Sequence, residues 1–535
     1  MALTKKRMAK GEVTKKKITF FSAILLVIGS SIGAGIFLKN REILQNVGNS
    51  VVLAIISWIF SIVGVICMGI SLAEIGSNNE SSNLGVIQWV KKFNSKYLFK
   101  VCKYFMAFIY LPFNFFVMPY YAVMTLQDAF GWQTQWWVAA LIAFAIMVYF
   151  FISAGLSSRA ADIQNKIVLS VKFIPLVFCA LAGIILACCG KCYVDQPSYP
   201  TWVPTSWGMD PGTTSLANLF PVLGIFGSIP AIIFSFDGFY ASAGIQSEMQ
   251  EPRKTPLALI IGLLVVSALD ILISISLLVG SQHGSVATLN FFKDGKWHIV
   301  IVLLEVMIAF GILGIVNGFA VYNPRYYEDL IKDYQLPFSG KLKDKINPNK
   351  PLVGLLYAGV LTLFFFIVLT LIGALAYSDT GKYLANAPMI PIWGGEPTVW
   401  GYDANNVKTG LNSLYSFCDL MANWTSLLVF ACIVFATIGC LKNRKTNKIE
   451  VVKVKGFVPC SIISITLISL AIIFVLASTF GNIGLAYMRG DSDDKLGAIM
   501  TLVVLILFVL ICCIPSAIEA KKEKGKPETY RPWLA

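Results

Sequence analysis

Along this chain an apolar stretch of about 20 residues or more recurs twelve times, each long enough to cross a ~30 Å hydrocarbon core as a helix. The stretches are 18–38, 47–72, 101–126, 135–155, 165–189, 219–246, 257–280, 298–323, 351–376, 412–440, 457–480 and 496–516. A helix satisfies its own backbone hydrogen bonds, which is the condition that lipid imposes on a spanning segment. Only 13% of the residues are charged and the mean hydropathy is +0.72. A soluble surface needs about twice that share of charge. The expected fold is therefore an all-α polytopic membrane protein with twelve transmembrane helices.

This divides the chain into a basic tail (1–17), five helices (18–189), a long loop (190–218) and five more helices (219–440). A short loop (441–456), two final helices (457–516) and a second tail (517–535) follow. The first stretch is too long for the apolar core of a cleaved signal, and another span follows closely. An even number of spans puts both termini on one side. Of the 43 Lys and Arg, 34 fall in tails and loops of that side, so both termini are expected in the cytoplasm, at the cell membrane. The same bias accounts for the net charge of +14 without any nucleic-acid partner. The long loops 190–218 and 377–411 fall on the other side, as solvated loops or as caps over its mouth.

Catalytic and metal chemistry find little support. Most of the 12 cysteines sit inside spans as small apolar residues, and "CCGKC" (Cys188 to Cys192) lacks the context of a redox or zinc motif. Two histidines are too few for a metal cluster, and no hydrolase motif is present. No cofactor and no enzymatic activity are expected.

Two spans carry an internal flaw. In the first, "VIGSSIGAGIF" (Val27 to Phe37) puts three glycines and two serines inside an apolar run. Each interior glycine costs about 1 kcal/mol of helix stability relative to alanine. In the sixth, "FSFDGF" (Phe234 to Phe239) places Ser, Asp and Gly at the midpoint. The first flaw opens one set of five helices and the sixth opens the next. Matched interruptions of this kind point to a transporter of inverted repeats, and an odd repeat length supplies the inversion. Close packing of small residues, Gly29 with Gly33 for example, is the simpler alternative.

An unwound stretch survives in a membrane only where it lines a cavity enclosed by protein or water. It frees N–H groups at the start of one half-helix and carbonyls at the end of the other. The former suit a carboxylate and the latter an ammonium or cation. Two such breaks side by side suit a zwitterion, of which an α-amino acid is the simplest.

At these residues the chain resembles the amino acid–polyamine–organocation (APC) superfamily of secondary transporters. "GSSIGAGIF", "FSFDGFYASAGIQSEMQEPRKTP" and "GIVNGFAVYNPRYYEDLIKDYQLP" carry the resemblance. It implies a 5+5 inverted repeat with broken first and sixth helices, followed by two extra helices. It also implies that the break from Ser30 through Gly35 holds the substrate. Backbone N–H groups of Gly33, Ala34 and Gly35 would take its carboxylate. Carbonyls of Ser31, Ile32, Phe234, Ser235 and Asp237 would take its ammonium. Phe234 or Phe236 would close over it beside Gly238, and Asn114 would be either a substrate contact or an interhelical hydrogen bond.

Lys172, Asp237, Glu305 and Asp270 stand out among the ionisable groups inside spans. Lys172 lies two turns into the fifth, at a cost of roughly 2.5–3.5 kcal/mol for a lysine at bilayer depth. In some members of the superfamily a lysine here contacts the first break where others place sodium. It either serves as a proton switch in that way or snorkels to the interface. The eighth span contains no Ser or Thr of the kind sodium-coupled relatives use. Asp237 either caps the second half-helix or faces the cavity and favours cationic solutes. Glu305 and Asp270 either line a vestibule or form structural pairs. The expected function is an amino acid permease, coupled to protons or working by exchange. A polyamine or organocation transporter, a sensor that binds without transport and a channel are the alternatives.

Overall fold

A computed structural model describes residues 19–31, 35–77, 84–204, 220–240, 250–281, 297–377, 410–489 and 492–526, short internal gaps apart. It also describes isolated residues such as Trp533 and the pairs 388–389 and 398–399. The helices run in the order α1 (Phe20–Ser31), α2 (Gly35–Leu38), α3 (Asn40–Asn46), α4 (Val51–Ile75), α5 (Val86–Phe93) and α6 (Lys96–Phe105). Next come α7 (Leu111–Phe130), α8 (Trp136–Leu156), α9 (Ser158–Cys188), α10 (Gly224–Ser235), α11 (Thr255–Gly280) and α12 (His298–Lys332). The series ends with α13 (Ser339–Leu342), α14 (Leu352–Leu371), α15 (Leu411–Thr446), α16 (Phe457–Arg489) and α17 (Ser492–Glu523). Strands are confined, among the described residues, to the antiparallel pair β1 (Pro388–Met389) and β2 (Thr398–Val399).

Ten of these segments are long and apolar enough to cross a membrane, and two shorter apolar helices, Phe20–Gly29 and Gly224–Ser235, occupy the first and sixth places. The short ones are the two spans whose sequence carries glycine and serine at the midpoint. Elsewhere the helices outrun the apolar stretches. The eighth stretch ends at 323 by hydropathy, whereas its helix runs to Lys332. Hydropathy registers the part of a rod that meets lipid, and a rod needs no apolar surface where it leaves it.

The third span, Lys96–Phe130, is the axis of the bundle: 89% of its most apolar window is buried, against 28% and 22% for the last two spans. Its helix widens into a π turn over Met106–Tyr110 between α6 and α7. The Tyr327 hydroxyl of α12 donates to the Ala107 carbonyl, giving an acceptor in that turn a partner outside its own helix. Such single-turn bulges mark functional sites often. Aromatic rings of α7, α14 and α15 pack beyond it, Tyr120 stacking on Phe366 with ring centroids 5.5 Å apart.

Candidate functional site

The two short helices lie against each other. A Cβ on Gly224 would fall 1.8 Å from the Asn46 carbonyl oxygen, so only glycine allows that approach. Asn46 Nδ2 donates to the Gly227 carbonyl at 3.3 Å. At the other end of α10, a Cβ on Gly35 would come within 2.6 Å of Ser235 Oγ and 2.8 Å of Ser235 Cα. Residue 224 meets 46 and residue 235 meets 35, so α10 runs antiparallel along α2 and α3. The resumption of the first helix thus abuts the end of α10.

The sixth helix stops at Ser235. Phe236 N–H and Asp237 N–H donate to the Ile233 and Phe234 carbonyls, three residues back rather than four. A turn follows, in which Gly238 adopts φ +105°, a conformation that only glycine takes without strain. The helix thus ends where the sequence places an interruption; residues 241–249, which would show whether it resumes, lie outside the described residues. In the first helix, α1 ends at Ser31 and α2 begins at Gly35. Ile32, Gly33 and Ala34 lie outside the described residues, as does the Ser30 side chain. Ser31 is fully buried, and its hydroxyl turns back onto the Val27 carbonyl at 2.8 Å.

Of the aromatic residues expected to close the site, Phe234 and Phe236 are both buried. The Phe234 ring stands edge-on to Tyr121 at 6.0 Å, with Lys39 Nζ 5.4 Å from its centroid. Asn114 donates to the Tyr110 carbonyl one turn earlier in its own helix, at 2.8 Å. Asp237 accepts the hydroxyls of Tyr110 and Tyr240, each at 3.0 Å from Oδ1, and those two hydroxyls lie 2.7 Å apart. Residues 241–249, where the half-helix that Asp237 would cap is expected, lie outside the described residues.

Lys172 reaches the first break. Its ammonium donates to the Gly29 carbonyl at 3.1 Å, in the last described turn of α1. Its stem passes Gly311 of α12, which places it between the first and eighth helices.

A second ionic group escapes a hydropathy reading. Lys39, between α2 and α3, has no exposed surface. Its ammonium contacts Asp419 Oδ1 at 2.7 Å and Glu42 Oε2 at 3.1 Å. The Tyr121 hydroxyl donates to the same Asp419 oxygen, and Asn423 Nδ2 donates to Glu42. The start of α3, α7 and α15 are joined here next to Phe234. Lys39 and Glu42 border an apolar stretch and read as ordinary loop charges. Asp419 and Asn423 stand one helical turn apart in a span, a shared-face signal that was available in the sequence.

Ten helices long and apolar enough to cross a membrane, with two shorter apolar helices packed together among them, define the class: a polytopic helical membrane protein. The chain belongs to the amino acid permease family, whose profile matches residues 18–510. Members of this family are transporters and not enzymes. An uncharacterised protein of Mycoplasma pneumoniae (strain ATCC 29342 / M129 / Subtype 1) is 36% identical over 96% of this chain and 95% of its own length. The serine/threonine exchanger SteT of Bacillus subtilis (strain 168) is 25% identical, over 61% of this chain and 71% of its own. The crystal structure of MhsT in complex with L-phenylalanine aligns over 85% of this chain and 97% of its own, with a TM-score of 0.48 and 12% identity.

Proposed function

We propose that this chain is a secondary active amino acid transporter of twelve spans. It would work by alternating access around the paired breaks at Ser30–Gly35 and Phe234–Gly238. The observation that carries this reading is the contact of Gly35 with Ser235. It brings the N–H start of one half-helix against the carbonyl end of another, opposite partial charges at one place. Such a site grips the carboxylate and ammonium of one small zwitterion through the main chain and leaves the side chain to select among amino acids. Serine and threonine are the first substrates to test, since a relative is named for exchanging them.

With both termini in the cytoplasm, the Lys39 clasp lies on the outer side of the breaks. A fully buried lysine there supports a state closed to the outside, and the pair with Asp419 has to part before a solute passes. Lys172 offers the coupling element: its charge occupies the carbonyl of Gly29, which favours protons or exchange over sodium. Purified protein in liposomes should accumulate labelled amino acid saturably when a pH gradient is imposed, or exchange it for internal amino acid. Binding without flux would leave a sensor, and gradient-insensitive ion flux a channel.

Two substitutions probe this reading. Lys172→Ala should flatten the pH dependence of uptake or exchange while amino acid binding persists; an unchanged profile removes Lys172 from coupling. Gly35→Ala forces a methyl into Ser235, an overpacking that costs about 1–3 kcal/mol. It should abolish substrate-induced thermal stabilisation in a protein that still inserts. Retained stabilisation would count against the site.

A further inference from the structure

Asp270 lies in the middle of α11 with 1% of its surface exposed, and its Oδ2 has no hydrogen-bond partner among the described residues. Its neighbourhood follows from helix register. A Cβ on Gly262 would touch Val27 of α1 at 2.6 Å, and Ser274 Oγ donates to Asn40 Oδ1 of α3 at 2.8 Å. Asp270 falls between these two anchors, about two turns past the first and one before the second. It is therefore level with the start of α2. On the opposite flank α4 runs antiparallel, a Cβ on Gly69 meeting Leu263 at 2.6 Å. Two to three turns back from Gly69, at the level of Asp270, are Trp58 and Ser61, both buried. The Nε1 of Trp58 and the Oγ of Ser61 and of Ser267 also have no partner among the described residues.

The charged groups on the helices packed against α11 are engaged elsewhere or distant, and of the titratable ones Cys179, one turn before Gly183, is nearest the level of Asp270. On α9, Lys172 is on Gly29, and Arg159, Asp162 and Lys166 lie in the first three turns, far below the level where Gly183 meets Ser276. Cys179 and Cys188 complete that helix. On α4, Glu74 is held by Arg444, and Cys67 lies near the level of Gly69. Around α3, Lys39 and Glu42 pair with each other and with Asp419 and Asn423, beside Arg41. The described residues of α1 and α2 carry no such group.

An ionised carboxylate cannot stand in an apolar interior without a counter-charge, and a carboxyl in a span marks an ion or proton path by default. Among the described residues no oxygen lies within hydrogen-bonding distance of Oδ2 to form a cage, and a proton needs none. We propose that Asp270 is a proton-binding site coupled to the first-helix break, separate from Lys172. The carboxyl holds its proton while the helices are packed as here, and gives it up when movement of the first helix opens a path to water.

This rests on the transport reading, and the test keeps the two apart. Amino acid affinity of the purified protein is measured by thermal shift between pH 5 and 8, in sodium chloride and in choline chloride. Wild-type affinity should change by about tenfold with pH, the order of a typical coupling between two sites. Asp270→Asn, which mimics the protonated carboxyl, should bind at all pH values with the dependence reduced to roughly twofold, well below a typical coupling. Asp270→Glu restores a titrating group and should regain the dependence with a displaced midpoint, which a merely structural role would not produce. An Asp270→Asn profile that follows wild type overturns the assignment, as does a dependence on sodium at fixed pH that Asp270→Asn removes. If Asp270→Asn does not insert, proton uptake by wild type on amino acid binding, read with a dye in weak buffer, decides: no uptake overturns it. Absence of any amino acid binding by wild type fails the transport reading instead.

Discussion

Lys39 is a cation that the membrane interior tolerates only because of its neighbours. Burying an ammonium costs several kcal/mol, and the carboxylates of Asp419 and Glu42 offset that cost by contact within 3.1 Å. Removing one partner leaves the other charge uncompensated, whereas removing both does not. Asp419→Leu alone should therefore lower stability by about 3–5 kcal/mol, and Lys39→Met with Asp419→Leu should recover most of that loss. Apparent melting temperatures of the solubilised variants give the comparison; a double variant no more stable than the single would refute the clasp. The same cluster marks what residue-level reading misses. Asp419 pairs with a lysine 380 residues earlier in the chain, and a lone sequence offers no view of that distance. Lys172 was legible because a lysine two turns inside a span stands out by itself.

Among the helices, glycines that look alike in sequence do different work. Gly29, which fits a close-packing pattern with Gly33, has nothing within 4 Å of the place its Cβ would take, and it contributes a carbonyl to Lys172. Gly35 and Gly224 are the positions where main chain meets main chain. Gly183 of α9 is as tight as Gly224: its Cβ would fall 1.8 Å from the Ser276 carbonyl oxygen of α11. Gly359 of α14 faces open space. Gly183→Ala should separate α9 from α11 and cost at least the ~1–3 kcal/mol typical of overpacking. Gly359→Ala should be neutral or stabilising by about 0.5–1 kcal/mol, since alanine only restricts the unfolded chain. Thermal melts of the two variants side by side check the contrast, and equal shifts would sink it. The apolar stretches and the end of the sixth helix at Ser235 were legible because solvent and backbone chemistry act locally. The helix ends and the amphipathic α5 were not, because they depend on contacts made after the helices assemble.

For the whole molecule, charge predicts which end meets the cytoplasm. The end rich in Lys and Arg is knitted by ion pairs across the chain: Lys103 with Glu519 at 2.7 Å, Lys100 with Glu523 at 2.5 Å, and Arg444 with Glu74. Trp533 joins them, its carbonyl accepting Gly340 N–H at 3.0 Å and its indole lying under Lys522. These pairs tie the third span to the last and the second to the tenth at one face, while the opposite end of α9 presents Cys188 and Cys189 exposed. Short loops rich in Lys and Arg stay in the cytoplasm during insertion. Cys188 and Cys189 should then face outward and Cys460, at the start of α16, inward. An impermeant maleimide applied to intact cells after mild reduction should label the wild type. It should fail on a variant with Cys188, Cys189 and Cys192 changed to Ser, while Cys460→Ser should leave the signal unchanged. The reverse result would invert the molecule and move the Lys39 clasp to the cytoplasmic side of the breaks. The state described here would then be the one closed to the cytoplasm.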